Sequence, residues 1–329
     1  MRIALVTSGG DAPGMNAAVR AVVRRAGVEG WRVQGVRGGY DGLFAEAIRP
    51  MGSRDVANIL QRGGTVLGSG RSARFRTPEG RAEAAGVLRR RGIEAMVVVG
   101  GDGSYRGMHA LHAEQGIRVV GLPGTIDNDV AGTDRTIGFD TAVNTALDAV
   151  DRIRDTAFAA QRIFFVEVMG RHSGAIAAEV ALAGGAEAVV VPELGVDVPA
   201  LAQRIQHSVD RGKSSCIVVV AEGAHPEGAA AIAAAVREQV AFRTEMRVTV
   251  LGHTQRGGNP TAADRVLASR LGDAAVAALK DAADPCVVGV FGGELRRTPL
   301  GEALVNPPHE GDTARLADRL AGLVPQASR

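Results

Sequence analysis

The residues best equipped for chemistry fall in two short stretches. Gly100-Gly101-Asp102-Gly103-Ser104 follows three valines, and Thr125-Ile126-Asp127-Asn128-Asp129 follows Leu122-Pro123-Gly124. In each, an apolar run of strand length breaks into glycine and then into carboxylate and hydroxyl groups. Glycine lets the backbone turn sharply and lets a ligand come close to it. A strand, a glycine turn and a helix N-terminus together attract phosphate, because unpaired amides and the helix dipole favour anions. Asp102 alone repels phosphate. A divalent cation between them, Mg2+ by preference, removes the conflict. In the second stretch an extended backbone points Asp127 and Asp129 to the same side. Each stretch alone also reads as a tight turn, with a surface aspartate in the first and Asx-turns in the second.

Further charged residues stand out by position. Arg71, Arg74 and Arg76 lie among glycines and serines in 63–76, a basic loop suited to polyphosphate, although a plain surface loop is the default. Arg20 and Arg24 are four apart on a predicted helix, which alone reads as a solvated basic face. Arg154 continues the apolar line of Val143, Leu147 and Val150, so it calls for a partner in another element or another subunit. His253 alone reads as a structural histidine.

These residues need a scaffold. The apolar pattern predicts strands over 2–6, 31–36, 96–99, 117–122, 163–168, 188–191, 216–220, 248–251 and 286–291. Helices are expected over 15–26, 79–91, 105–114, 138–159, from 174 to 183, and over 198–210, 260–279 and 312–323. Ser104 is expected to cap the helix from 105, and Ser53 a short helix beginning at Arg54. The Ala-rich segment 228–235 is a low-complexity tract. Alternating strands and helices argue for an α/β protein with parallel sheets covered on both faces. Nearly every strand ends in glycine plus a charged or hydroxyl residue, which places a ligand site at the carboxyl ends of the strands.

Composition narrows the classes. The chain has 329 residues, 46% apolar and 22% charged, with a net charge of +2, so no broad field for nucleic acid is implied. Aromatics are only 3%, too few for base-stacking platforms. Cys216 and Cys286 form no disulfide framework or zinc spacing, which suits a reducing cytoplasm. A strand starting near Arg2 leaves no room for a signal peptide, and no apolar run is long enough to span a membrane.

In combination, TSGGDAPGMN at 7–16, GGDGS at 100–104, PGTIDND at 123–129, MGR at 169–171 and GHTQRGG at 252–258 carry a resemblance. The chain resembles the bacterial ATP-dependent 6-phosphofructokinases from Arg2 to about Phe291, with the match fading after about Glu294. The resemblance implies two αβα sandwich, Rossmann-like domains with mainly parallel sheets: an ATP-binding domain of 1–138 plus 251–302, and a fructose 6-phosphate-binding domain of 139–250 plus 303–329. It implies transfer of the γ-phosphoryl of ATP to the 1-hydroxyl of fructose 6-phosphate in a homotetramer. On this sequence the nucleotide site would comprise Gly10, Tyr40, Arg71, Ser72, Arg76, Asp102, Gly103 and Ser104, with Asp102 serving Mg2+. The sugar would meet Thr125, Asp127, Asp129, Met169, Gly170, Arg171, Glu222, His253 and Arg256, with Arg162 and Arg247 reaching in from a neighbouring subunit. Asp127 would be the general base, Thr125 would hydrogen-bond the moving phosphoryl, Arg171 would neutralise its charge, and Gly10 would complete the reaction centre. Arg20, Arg24, Arg54, Arg154, Glu187, Arg211 and Lys213 would bind the effectors, ADP as activator and phosphoenolpyruvate as inhibitor.

Three rivals remain. Pyrophosphate-dependent relatives carry Asp where this chain has Gly103 and Lys where it has Gly124. NAD and lipid kinases share the GGDG turn but lack the MGR and GHTQRGG partners. A non-catalytic sugar-phosphate-binding protein would not need Asp102, Asp127 and Arg171 all intact.

Overall fold

The structure is a computed structural model that describes residues 1–213, 215–241, 244–281, 284–305 and 311–321. In chain order its elements are β1 (Arg2–Thr7), α1 (Met15–Val28), β2 (Arg32–Val36), α2 (Asp41–Phe44), β3 (Ile48–Met51), α3 (Pro78–Arg90), β4 (Ala95–Gly100), α4 (Asp102–Gln115) and β5 (Arg118–Pro123). There follow α5 (Phe139–Ala160), β6 (Ile163–Val168), α6 (Ala175–Gly184), β7 (Ala188–Val190), α7 (Val198–Asp210), β8 (Cys216–Ala221), α8 (Gly228–Arg237), β9 (Met246–Val250), α9 (Ala262–Lys280), β10 (Cys286–Phe291), β11 (Glu294–Pro299) and α10 (Asp312–Leu320).

These elements form two compact units, Met1–Thr141 with Arg256–Pro307, and Ala142–Gln255 with Pro308–Arg329. The first holds a seven-stranded sheet in the order β11-β10-β5-β4-β1-β2-β3. Its inner strands β10, β5, β4, β1 and β2 are parallel, and β3 and β11 pair antiparallel at the two edges. The second holds a parallel four-stranded sheet in the order β7-β8-β6-β9. The fold class is therefore the expected mixed α/β with mainly parallel sheets. Every residue of β4 and of β8 is buried, as a parallel strand covered by helices on both faces requires. In α1 the stripe Val19, Val22, Val23 and Ala26 is buried at helical spacing. Among the described residues no helix is long and apolar enough to cross a membrane.

Several local expectations need correction. The helix after β4 begins at Asp102, with Gly101 in the extended conformation as its N-cap, so Ser104 lies inside the first turn and does not cap it. An aspartate is itself favoured there by the helix dipole. Residues 53–58 form turns and no helix. Asp55 takes the Gly52 N–H at 2.8 Å, and Asn58 has a left-handed φ of 55°, which stops helical propagation. The Ala-rich segment 228–235 lies in α8, which buries Ala229, Ile232, Ala233 and Val236, one face of an amphipathic helix. Edge strands β3 and β11 and the short α2 had no expectation. Pro50 masks β3, which an edge strand tolerates, and the exposed ELRR run of β11 carries no alternating pattern.

The first turn of α5 belongs to the first unit because Asp264, 1% exposed in α9, gathers it. Its carboxylate accepts the Gly138 N–H, the Thr141 N–H and the Thr141 hydroxyl at 2.8, 2.8 and 2.5 Å. The first unit consequently runs to Thr141 in this part of the chain. Burial pushes the Asp264 carboxyl above the ordinary carboxylate value, against the pull of those donors. Removing it strands buried donors, so Asp264→Ala lowers the free energy of unfolding by about 2–4 kcal/mol in urea titration. Because the native state keeps this proton to higher pH than the unfolded chain does, wild type loses stability relative to Asp264→Asn as pH rises from ~4 through the raised value.

Candidate active site

Strands β1, β4 and β5 lie side by side and parallel, with Thr7 opposite Val99 and Gly100 opposite Pro123. Their carboxyl ends therefore release three loops at one level: 8–14, 101–104 and 124–129. The loops are tied at their roots. Ser8 donates its N–H to Val99 O at 2.9 Å, and Gly124 donates to Gly100 O at 3.0 Å. A Cβ on Gly101 would sit 3.5 Å from Thr125 Cβ, so the diglycine turn and the Thr125 loop touch. A Cβ on Gly100 would lie 2.5 Å from Ser104 Oγ and 2.7 Å from the Ser8 carbonyl. Only glycine fits where the three loops converge.

Asp127 and Thr125 face this point. Thr125 Oγ1 accepts the Asp127 N–H at 3.1 Å, and both residues are buried, at 6% and 8% exposure. Arg256 closes the other side: its guanidinium donates to Asp11 O at 3.2 Å and stands 3.9 Å from Asp127 Oδ1. A Cβ on Gly10 would meet Arg256 Nη1 at 2.8 Å. Asp102, Ser104, Gly10, Thr125, Asp127 and Arg256 are thus assembled on one sheet edge of the first unit. Asp129 is close enough that its charge, after burial, helps hold the Tyr105 hydroxyl protonated.

The basic loop packs against the same end. Gly9 donates to Gly70 O at 3.1 Å, and Ser72 Oγ takes the Phe75 N–H at 3.0 Å. Arg71 and Arg76 are exposed beside it. Tyr40, expected at the nucleotide, is 4% exposed instead. Its ring stacks on Phe75 with centroids 3.8 Å apart, and its hydroxyl donates to Ser104 O at 2.8 Å. It supports the 101–104 turn from behind and offers almost no surface to a ligand. Arg20, Arg24 and Arg54 lie in this unit, on α1 and in the 53–58 turns.

The second unit holds the remaining residues. Glu222 Oε1 accepts the N–H groups of Gly170 and Arg171 at 3.2 and 2.7 Å, and Gln255 Oε1 accepts that of Met169 at 2.9 Å. Arg171 is held at a left-handed φ of 56°, unusual for a non-glycine residue. His253 lies on the single 3-10 turn Gly252–Arg256. Arg162 pairs with Glu245 at 2.6 Å, and Arg247 pairs with the same carboxylate. Glu187, 6% exposed, accepts the Ile217 N–H at 2.7 Å and gathers Lys213 at 3.2 Å and Arg154 at 3.9 Å. Arg211 ends α7 two residues earlier in the chain than Lys213.

For a metal, the donor set fits one delivered with a nucleotide. Among the described residues no group of three or more His, Cys, Asp or Glu is gathered to hold an ion. Asp102 supplies one hard carboxylate at a helix N-terminus, and its oxygens already attract a cation, Arg106, at 3.1 Å. Mg2+ characteristically takes one or two carboxylates and completes its shell with phosphate oxygens and water.

Some supporting residues had no sequence signal. Arg81, 7% exposed, forms a two-pronged pair with Glu114 and donates to Phe75 O and Arg76 O at 3.2 and 2.7 Å, so it holds the basic loop from below. Asn16 is buried and pins residues 62–66 through Arg62 O, Gly63 O and the Val66 N–H. Its place in the 7–16 motif was the available hint.

Residues 2–279 match the family described as phosphofructokinase. The chain is 60% identical over 303 residues to "ATP-dependent 6-phosphofructokinase 1" of Thermus thermophilus, covering 92% of this chain and 94% of the relative. It superposes on phosphofructokinase from Saccharomyces cerevisiae with a TM-score of 0.85 at 36% identity, covering 98% of this chain and 47% of the yeast chain, about half its length. A pyrophosphate-dependent phosphofructokinase from Marinobacter aquaeolei shares the fold, with a TM-score of 0.81 at 24% identity over 99% of this chain and 92% of that one.

Gly100 and Gly103 provide a matched test of the convergence point, since a Cβ on Gly103 would meet nothing within 4 Å. Gly100→Ala lowers stability by about 1–3 kcal/mol in chemical denaturation, whereas Gly103→Ala leaves it unchanged or raises it by up to ~1 kcal/mol.

Proposed function

The chain belongs to the phosphofructokinase family, and on that footing we propose that it is an ATP-dependent 6-phosphofructokinase of glycolysis. It moves the γ-phosphoryl of ATP to the 1-hydroxyl of fructose 6-phosphate, giving fructose 1,6-bisphosphate and ADP. One observation carries the reading: a phosphate-seeking turn bearing Asp102 and a loop bearing Thr125 and Asp127 leave adjacent parallel strands and touch at Gly101.

Phosphoryl transfer asks mainly for positioning and charge neutralisation. The 101–104 amides at the N-terminus of α4 bind phosphate oxygens, with Gly10, Arg71, Ser72 and Arg76 completing the nucleotide site. Asp102 would hold Mg2+, which would neutralise phosphate charge. Asp127 accepts the proton of the sugar 1-hydroxyl, and Thr125 donates a hydrogen bond to the moving group. Arg256 beside Asp127, together with Arg171, balances negative charge. For the sugar we assign Asp129, Met169, Gly170, Arg171, Glu222, His253 and Arg256, and, from a neighbouring subunit of a homotetramer, Arg162 and Arg247, since guanidinium forks match phosphate oxygens. The nucleotide residues then all lie in the first unit. Arg154, Glu187, Arg211 and Lys213, with Arg20, Arg24 and Arg54, form the effector site for ADP and phosphoenolpyruvate. We place the enzyme in the cytoplasm.

Two glycines favour ATP over pyrophosphate as donor. The open space at Gly103 leaves room for the α-phosphate of a nucleotide, where a carboxylate would repel it. At Gly124 a Cβ would meet Val99 Cγ1 at 2.8 Å, so a lysine there would require repacking.

A coupled assay with fructose 6-phosphate and each donor tests the reading: turnover with ATP supports it, and turnover with pyrophosphate alone refutes it. Asp127→Asn lowers kcat by at least ~10² in the same assay, because it removes the base; near-normal kcat would place the proton elsewhere. Arg154→Ala blunts inhibition by phosphoenolpyruvate and activation by ADP while leaving the maximal rate largely intact; unchanged inhibition would reject the effector assignment.

A further inference from the structure

We infer that Thr136 and Asn128 act as a latch that positions the reacting groups Thr125 and Asp127. This inference rests on the functional reading above and adds two residues that touch neither substrate in it. Asn128 stands between Asp127 and Asp129 with a left-handed φ of 50°. A non-glycine residue holds that conformation at a cost, and persists in it where the surroundings dictate it.

The surroundings here are a closed ring of hydrogen bonds. Asn128 Oδ1 accepts the Thr136 N–H at 2.8 Å, and Asn128 Nδ2 donates to Asp134 O at 3.1 Å. Thr136, 1% exposed, donates its hydroxyl to the Thr125 carbonyl at 2.6 Å. Thr125 Oγ1 in turn takes the Asp127 N–H at 3.1 Å. Next to Thr136, Ile137 donates to Pro123 O at 2.7 Å, which joins the returning loop to the end of β5. The loop therefore leaves β5, turns at Asn128 and is fastened back onto its own start. Thr125 and Asp127 are held at both ends, and the hydroxyl of Thr136 fastens the Thr125 carbonyl directly.

A displacement of a fraction of an ångström at such groups slows transfer without loosening a nucleotide held at the neighbouring 101–104 turn. Thr136→Val keeps the shape and removes the hydroxyl donor, and Thr136→Ser restores it. Asn128→Gly keeps the left-handed backbone and removes the side-chain bonds. With wild type shown to be active on ATP and fructose 6-phosphate, we expect kcat of Thr136→Val to fall at least ~10-fold, KM for ATP to stay within ~3-fold, and Thr136→Ser to recover kcat to within ~3-fold. Asn128→Gly is expected to lose kcat in the same way, and it decides the matter if Thr136→Val does not fold. A smaller fall in kcat, a matching rise in KM for ATP, or a serine variant as slow as the valine one overturns the latch. Wild type inactive with these substrates refutes the functional reading instead.

Discussion

Gly100 has no space for a side chain, and the arrangement around it follows from that restriction. Ser8 and Ser104 press on it from the loops after β1 and at the start of α4, while its carbonyl receives Gly124 from the loop after β5. Parallel pairing puts the three strand ends at one level, and the missing methyl lets their loops meet. The 101–104 amides and the carboxylates of Asp102 and Asp127 can then share one edge of one sheet. Strand ends of parallel sheets are the usual ligand side of such folds, because helix N-termini and loop amides point there.

Around that point the charges are graded. Asp102 sits at a helix N-terminus with Arg106 across its oxygens, partly exposed, where a second cation can join it. Asp127 is buried, with Arg256 at 3.9 Å keeping a positive charge beside it. Behind both, apolar and aromatic packing fixes the backbone: Tyr40 and Phe75 stack beneath the 101–104 turn. The Arg81–Glu114 pair does the same for the basic loop, and the Arg81 guanidinium holds the Glu114 carboxyl below the ordinary carboxylate range. Rigid support under mobile chemistry is what positioning catalysis demands.

Much of this was legible in the residues, and the reasons are physical. Buried parallel strands are continuous apolar runs, and glycines that end them break the pattern sharply, so β1, β4 and β5 and their loops announce themselves. Edge strands do not: β3 contains Pro50 and β11 is exposed and charged, because pairing on one side alone defines them. Tyr40 stands in a glycine turn, and its burial leaves no local signal because its stacking partner Phe75 is distant in sequence. Nothing local marks Asp264 in its helix, because its three donors come from residues 138 and 141, more than 120 positions away. Thr136 is equally silent, since a hydroxyl fastening a loop to its own start leaves no periodic trace, whereas Asn128 lies in a stretch that already reads as Asx-turns.

In the proposed reaction Asp102 and Asp127 address the same phosphorus from two sides. A crystal structure with Mg2+, ADP and fructose 1,6-bisphosphate bound tests this most directly. The account predicts a metal on Asp102 and the Asp127 carboxylate within hydrogen-bond reach, about 3 Å, of the bisphosphate's 1-oxygen. A bisphosphate whose 1-phosphate lies away from the β4 and β5 ends, with Asp127 contacting only protein, would contradict it.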